Sequence, residues 1–193
     1  MKRLSILLIF IFASSILNAQ IIENNENNHL KKFSIYLGAG IRNVTEDRYE
    51  EVYGKNNISF SADIGFKIYR SLELFLHSDY FKADGELTFS KENTTLKIIP
   101  VELGIRFILG NNIIRPYIGA GMGYYIYKEE NYIGTIDKNK IGFLAEGGIR
   151  FFIIKPLFID LKLKYISLNV KNDENSDIQL GGISYIGGIG ISF

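Results

Sequence analysis

The 193-residue chain has no cysteine, no tryptophan and only three prolines. Without cysteine there is neither a disulfide framework nor a thiolate metal site. An excess of charge of one sign is also missing. The chain carries 22 Lys and Arg against 21 Asp and Glu, and losing Lys2 and Arg3 with the leader described below leaves 20 bases against 21 acids. A nucleic-acid partner, which requires a clear basic excess, is excluded on that ground. Past the first twenty residues no apolar run approaches the roughly 18 residues of a membrane helix. What the chain has instead is 19 glycines, 14 phenylalanines and 12 tyrosines in the length of one domain, a strand-forming bias. Its hydrophobic fraction of 47% and mean hydropathy of +0.07, taken alone, describe a soluble all-β protein.

Residues 1–19, MKRLSILLIFIFASSILNA, read as a secretory signal peptide. Lys2 and Arg3 form the basic start, Leu4 to Ala13 the apolar stretch, and cleavage is expected after Ala19, although Leu17 stands where a smaller residue is usual. No cysteine follows the apolar run, so a lipid-modified N-terminus is excluded. Residues 20–31 are polar and Asn-rich and read as a flexible periplasmic segment ahead of a domain spanning 32–193.

From Phe33 onward the residues alternate with a period of two. Phe33, Ile35, Leu37, Ala39 and Ile41 interleave with Ser34, Tyr36, Gly38, Gly40 and Arg42; Ile58, Phe60, Ala62, Ile64, Phe66 and Ile68 interleave with Ser59, Ser61, Asp63, Gly65, Lys67 and Tyr69. Six more such segments follow, at 72–82 with a possible extension to 90, 95–109, 113–127, 140–153, 157–168 and 178–193. Each is long enough to cross a bilayer at a tilt. The connections alternate as well. Tight turns at 69–71, Asn111-Asn112 and 154–156 fall at one end, and longer polar segments at 43–57, 83–94, 128–139 and 169–177 fall at the other. A Greek-key sandwich gives no reason for this segregation, whereas an outer-membrane barrel has short periplasmic turns and long outer loops. Phe66, Phe107, Phe151 and Phe193 end the even strands at spacings of 41, 44 and 42 residues, so one hairpin recurs four times.

Three features turn the apolar face outward, to lipid, rather than inward as in a lipocalin-like carrier. The opposite face carries charge at mid-strand: Asp63, Lys67, Glu73, His77, Asp79, Glu102, Arg106, Glu146, Arg150, Asp160, Lys162 and Lys164. Three-residue turns at 69–71 and 154–156 would set Lys67 opposite Glu73, Asp63 opposite His77, Arg150 opposite Asp160 and Glu146 opposite Lys164. Such pairing is required in a narrow lumen, where an unpaired charge is costly. Finally, the aromatics of the apolar face form two rows, with Phe66, Phe107, Phe151 and Phe193 near the short turns and Tyr80, Tyr124, Tyr165 and Tyr185 towards the long loops. The eight steps from Tyr185 to Phe193 span roughly 27 Å along a strand and about 21 Å along a tilted barrel axis, close to the apolar band of an outer membrane. Glycines on the inward set, Gly104 and Gly148 among them, make room for the long side chains and for inward tyrosines such as Tyr117.

With these elements in place, the chain resembles the eight-stranded outer-membrane β-barrel family of the outer-membrane protein A and X type. The most specific pieces are LKIIPVELGIRF (Leu96–Phe107) and RPYIGAGMGYY (Arg115–Tyr125), similar to the fourth and fifth strands of barrels from Bacteroidetes-type envelopes. The C-terminal YIGGIGISF resembles the signal read by the barrel-insertion machinery, with terminal Phe193 preceded by Ile191, Ile189 and Tyr185 at alternate positions and Gly187 as a departure. The resemblance implies an all-β, eight-stranded up-and-down transmembrane barrel in the outer membrane, with both termini on the periplasmic side. It implies no substrate.

The chain offers no catalytic, cofactor-binding or metal-ligating set. In His77-Ser78-Asp79, alternation puts Ser78 on the face opposite His77 and Asp79, which breaks a nucleophile–base chain. The loop carboxylates Glu46, Asp47, Glu50, Glu51, Asp173, Glu174 and Asp177 lack the spacing of a dedicated calcium loop. Tyr49, Tyr53 and Tyr132 stand in the loops as candidate adhesive anchors. The expected role is a structural or interaction one, exerted through the outer loops without an open pore. Expected partners are outer-membrane lipid and lipopolysaccharide, the insertion machinery through Phe193, and an extracellular or envelope protein. The alternatives are a narrow ion or water channel and, further off, a lipid A-modifying enzyme.

Overall fold

The computed structural model describes residues 33–44, 47–54, 56–86, 91–110, 113–131, 134–171, 177–179 and 181–193. The leader, the segment at 20–31 and the turn residues Asn111 and Asn112 lie outside these. Eight long strands form the barrel: β1 (Phe33–Val44), β2 (Asn56–Tyr69), β3 (Leu72–Glu86), β4 (Asn93–Ile108), β5 (Ile114–Asn131), β6 (Gly134–Ile154), β7 (Leu157–Ser167) and, after a short hairpin of β8 (Asn169–Lys171) and β9 (Asp177–Gln179), β10 (Gly182–Ser192). Each barrel strand pairs antiparallel with its neighbours, and β1 pairs with β10 to close the ring. At the seam the Phe33 and Phe193 backbones exchange two N–H···O bonds of 2.9 Å each.

Polarity is inverted relative to a water-soluble fold. Ile58, Leu37 and Phe143 are 66%, 62% and 64% exposed, while Asp63, Glu102, Arg106 and Lys164 are buried. Both aromatic rows lie on the outer face, and Phe33 joins the lower one, its ring 4.9 Å from that of Phe66. No helix among the described residues is long and apolar enough to cross a membrane.

All four expected cross-strand pairings are present in the register: Lys67 with Glu73, Asp63 with His77, Arg150 with Asp160, and Glu146 with Lys164. The turn chemistry behind them differs from the expectation. The loops are two residues long, at 70–71 and 155–156, and each hairpin adds a one-residue bulge, before Tyr69 and before Ile154. A two-residue turn with one bulged residue gives the offset of a three-residue loop.

Three outer segments also depart from the expected polar loops. Residues 128–139 are mostly strand, because β5 runs to Asn131 and β6 starts at Gly134. Above the membrane both faces of a strand meet water, so the apolar–polar contrast that marks strands lower down disappears. Within 43–57, α1 (Asp47–Tyr53) forms and ends at Gly54, whose φ of +76° is the left-handed conformation glycine adopts at a helix C-terminus. Within 169–177, β8 and β9 pair with each other.

The outward face makes a direct prediction. Leu161 is 55% exposed on β7, midway between the two aromatic rows. Leu161→Arg is expected to lower folding stability by roughly 2–4 kcal/mol near the bilayer midplane, measured by denaturant titration in lipid vesicles. An unchanged free energy would reverse the assignment of faces.

Candidate functional site

The lumen is built in layers, which the alternation alone did not reveal. Its middle is charged. Arg106 on β4, fully buried, donates from Nη2 to Asp63 (2.7 Å), from Nη1 to Glu73 (2.7 Å) and from Nε to Glu146 (2.6 Å). Arg150 on β6 holds the other side of Glu73 with two bonds, of 2.8 and 3.0 Å, and reaches Asp160 at 3.3 Å. Lys162 lies 3.2 Å from Asp63 and 3.5 Å from Glu146. Lys164 bonds Asp79 and, at 2.9 Å, Glu102. Tyr117 and Tyr125 each donate a 2.8 Å hydrogen bond, to Asp160 and Glu102. The ring nitrogens of His77 face Asp63 at 3.2 Å and Asp79 at 2.8 Å.

Of the four registered pairs, His77–Asp63 and Arg150–Asp160 bond directly. Glu146 takes Arg106 while its register partner Lys164 crosses to β3 and β4, and Glu73 is reached by Arg106 and Arg150. Register fixes Cα neighbours, but in a lumen this narrow a long side chain also reaches strands on the far wall.

Apolar layers close the charged middle above and below. Towards the long-loop end Val44, Tyr49, Phe81, Leu96, Ile98, Tyr125, Leu144, Ile166 and Leu168 pack together, reaching down to Phe75. Towards the short-turn end Phe152 and Phe158 pack at a centroid distance of 5.3 Å, with Tyr36 and Ile186. The inward parity of Phe75, Phe81 and Phe158 was the sequence signal for these layers. Glycine seats them: Phe75 pairs with Gly104, Tyr117 with Gly148 and Phe158 with Gly190, and in each case a Cβ on the glycine would strike the ring or its hydroxyl.

The candidate anchors Tyr49 and Tyr53 are not presented to a partner. Tyr49 is buried in the upper apolar layer and accepts a 3.1 Å bond from Asn57, and Tyr53 donates to Glu129 at 3.0 Å. Burial pushes both hydroxyls above the usual tyrosine range. They pin α1 over the barrel mouth, where a side chain at Gly85 would collide with the Val52 carbonyl. Glu50 and Glu51 are exposed on this helix, whereas Glu46, Tyr132, Asp173 and Glu174 lie outside the described residues.

The geometry separates Ser78 from His77 and Asp79 as alternation requires: Ser78 donates to the Pro100 carbonyl at 2.7 Å, away from the imidazole. His77, Asp79 and Glu102 bring possible ligand atoms within 4.8 Å of one another, but the Lys164 ammonium already sits against both carboxylates as their cation. On the outer surface Asp84 takes bonds from Lys82 and Thr95, which hold its carboxyl below the usual range.

Arg106 carries the largest share of this arrangement. Arg106→Met would leave Asp63, Glu73 and Glu146 buried with a cation removed, and is expected to destabilise the barrel by about 3–5 kcal/mol. The readout is the temperature at which the folded band disappears on a detergent gel.

Residues 6–184 match the family model described as outer membrane protein beta-barrel domain. No curated protein sequence matches the chain. Among solved structures the chain is similar to Neisserial surface protein A, at 14% identity and a TM-score of 0.65, with 83% of this chain and 97% of that one covered. It is also similar to Ail, the attachment invasion locus protein of Yersinia pestis, crystallised with the heparin analogue sucrose octasulfate, at 19% identity and a TM-score of 0.59, covering 84% and 98%. A third is the N-terminal β-barrel domain of Pseudomonas aeruginosa OprF, at 15% identity and a TM-score of 0.54, covering 83% and 97%. At these identities the likeness is one of fold. The family model, by contrast, spans most of the sequence, and the chain belongs to the outer-membrane β-barrel domain family.

Proposed function

We propose that this protein is a closed barrel that works by contact at the cell surface, through its outer sheet and loops, and not by conducting solutes. The observation that carries this reading is the sheet that β3, β4, β5 and β6 continue beyond the tyrosine row. β5 runs seven residues past Tyr124, roughly 23 Å of strand. β7 makes its last pair with β6 at Phe143 and Ser167, and among the described residues no strand pairs with the same edge of β6 at 135–141. Most of that edge is exposed. Unpaired backbone N–H and C=O groups on a strand edge are a template for an added strand.

The filled lumen supports the same reading, since among the described residues apolar layers and a paired charge network leave no row of solvated groups to carry an ion. Ail, whose name speaks of attachment and invasion, has the same fold, and a surface-contact role for this chain agrees with that name. The exposed Phe193 remains the group proposed for recognition by the insertion machinery, and lipopolysaccharide the proposed neighbour of the outer rim.

The test shortens the protruding hairpin. Replacing 128–137 by Asn-Gly joins the registered pair Tyr127 and Lys138 and removes the outer part of the open edge, 135–137. The variant is expected to fold, with heat-dependent gel mobility retained, and to lose capture of surface partners on intact cells. Purified wild type is expected to give no unit openings in planar bilayers. Stable openings would make the protein a channel and overturn the proposal.

A further inference from the structure

The short-turn end has a charge pattern that the surface-contact role does not use. Its described residues include Lys67, Arg70, Arg115 and Lys155, while its side-chain carboxylates, Glu73 and Asp160, are buried in the lumen. Arg115 and Arg150 are direct partners across β5 and β6, a like-charge placement that is unfavourable in a sheet. Arg150 turns into the lumen towards Glu73 and Asp160. Arg115 lies at the mouth with its guanidinium 4.2 Å from the Phe152 ring centre.

Beside Arg115 the wall is hollowed. Ile113, Ile114, Arg115, Phe152, Ile153, Ile154 and Lys155 line a depression of about 700 Å³. Ile114 is the register partner of Phe151, so the depression lies at the height of the lower aromatic row, where the membrane meets water. Ile114, Ile153 and Ile154 are 54%, 58% and 65% exposed and continue the lipid-facing surface. The lining thus joins an apolar wall to two cations and includes no acid.

We propose that this depression binds one anionic glycerophospholipid of the periplasmic leaflet, with its acyl chains along Ile114 and Ile153 and its phosphate held by Arg115 and Lys155. The location selects a lipid, because the apolar side opens onto the bilayer. The charge selects the headgroup. An arginine fork suits phosphate oxygens, and basic pockets at a membrane surface take anionic lipid. A quaternary ammonium headgroup would instead face two like charges. The bound phosphate would also relieve the repulsion between Arg115 and Arg150.

Native mass spectrometry of the purified protein in neutral detergent, titrated with phosphatidylglycerol or with phosphatidylcholine of the same chains, decides the matter. Wild type is expected to retain one phosphatidylglycerol with a preference on the order of tenfold over phosphatidylcholine. Arg115→Gln with Lys155→Gln is expected to abolish the preference, and Lys82→Gln, at the opposite rim, to leave it intact. Should the double variant fail the heat-mobility check for folding, Lys155→Gln alone, in the exposed turn, is expected to lower the preference several-fold. Equal retention of the two lipids by wild type, an unchanged preference in the turn variants, or an equal loss with Lys82→Gln would each overturn the site.

Discussion

Lipid offers no hydrogen bonds, and from that constraint the rest of the molecule follows. A sheet in the bilayer must satisfy every backbone group within itself, so it must close. Here closure is made between the ends of the domain, β1 against β10, with Phe33 and Phe193 locked to each other. Closing only eight strands fixes a lumen wide enough for side chains and little else. Every polar side chain on the inner face must then find its partner on another part of the same wall or across from it. The apolar surface, in turn, is freed to face outward, which is why an unremarkable mean hydropathy conceals two opposed and strongly polarised faces.

The interior answers this constraint with a particular order. Most of the buried charge sits in the middle, where Arg106, Arg150, Lys162 and Lys164 face six carboxylates with help from His77 and two tyrosines, while Arg42 lies higher, over the Phe81 ring. Aromatic and aliphatic layers stand above and below it. The dielectric isolation these layers give strengthens each ion pair and raises the cost of losing one. Helix α1 completes the upper layer through Tyr49, so the first outer loop belongs as much to the packing of the lumen as to the cell surface.

Much of this was legible in the sequence. A period of two with a single apolar face identified the strands, and the spacing across two turns set the register to the residue, because side-chain complementarity of Lys67 with Glu73 and Arg150 with Asp160 allows no slip of one position. Lumenal contacts beyond the register were not legible. That Arg106 takes Asp63 and Glu146 depends on reach across the barrel, and nothing in local spacing encodes it. The extension of β5 and β6 was hidden for a different reason, since a strand wetted on both faces loses the pattern that betrays it. Tyr49 and Tyr53 looked like surface anchors because a polar, charged loop gives no sign that it will fold back over an apolar mouth.

Several ion pairs of the lumen join residues far apart in the chain: Lys162 and Asp63 are separated by 99 positions, Lys164 and Asp79 by 85. Not every hairpin carries its own neutral interior. The β2–β3 hairpin alone brings Asp63, Glu73 and Asp79 to one face with Lys67 as the only lysine or arginine of that face among the described residues, and β7 brings Lys162 and Lys164 against the single carboxylate of Asp160. A single hairpin threaded into lipid would therefore drag unmatched charge with it. Burying the strands together, with both halves of each ion pair present, would avoid that cost.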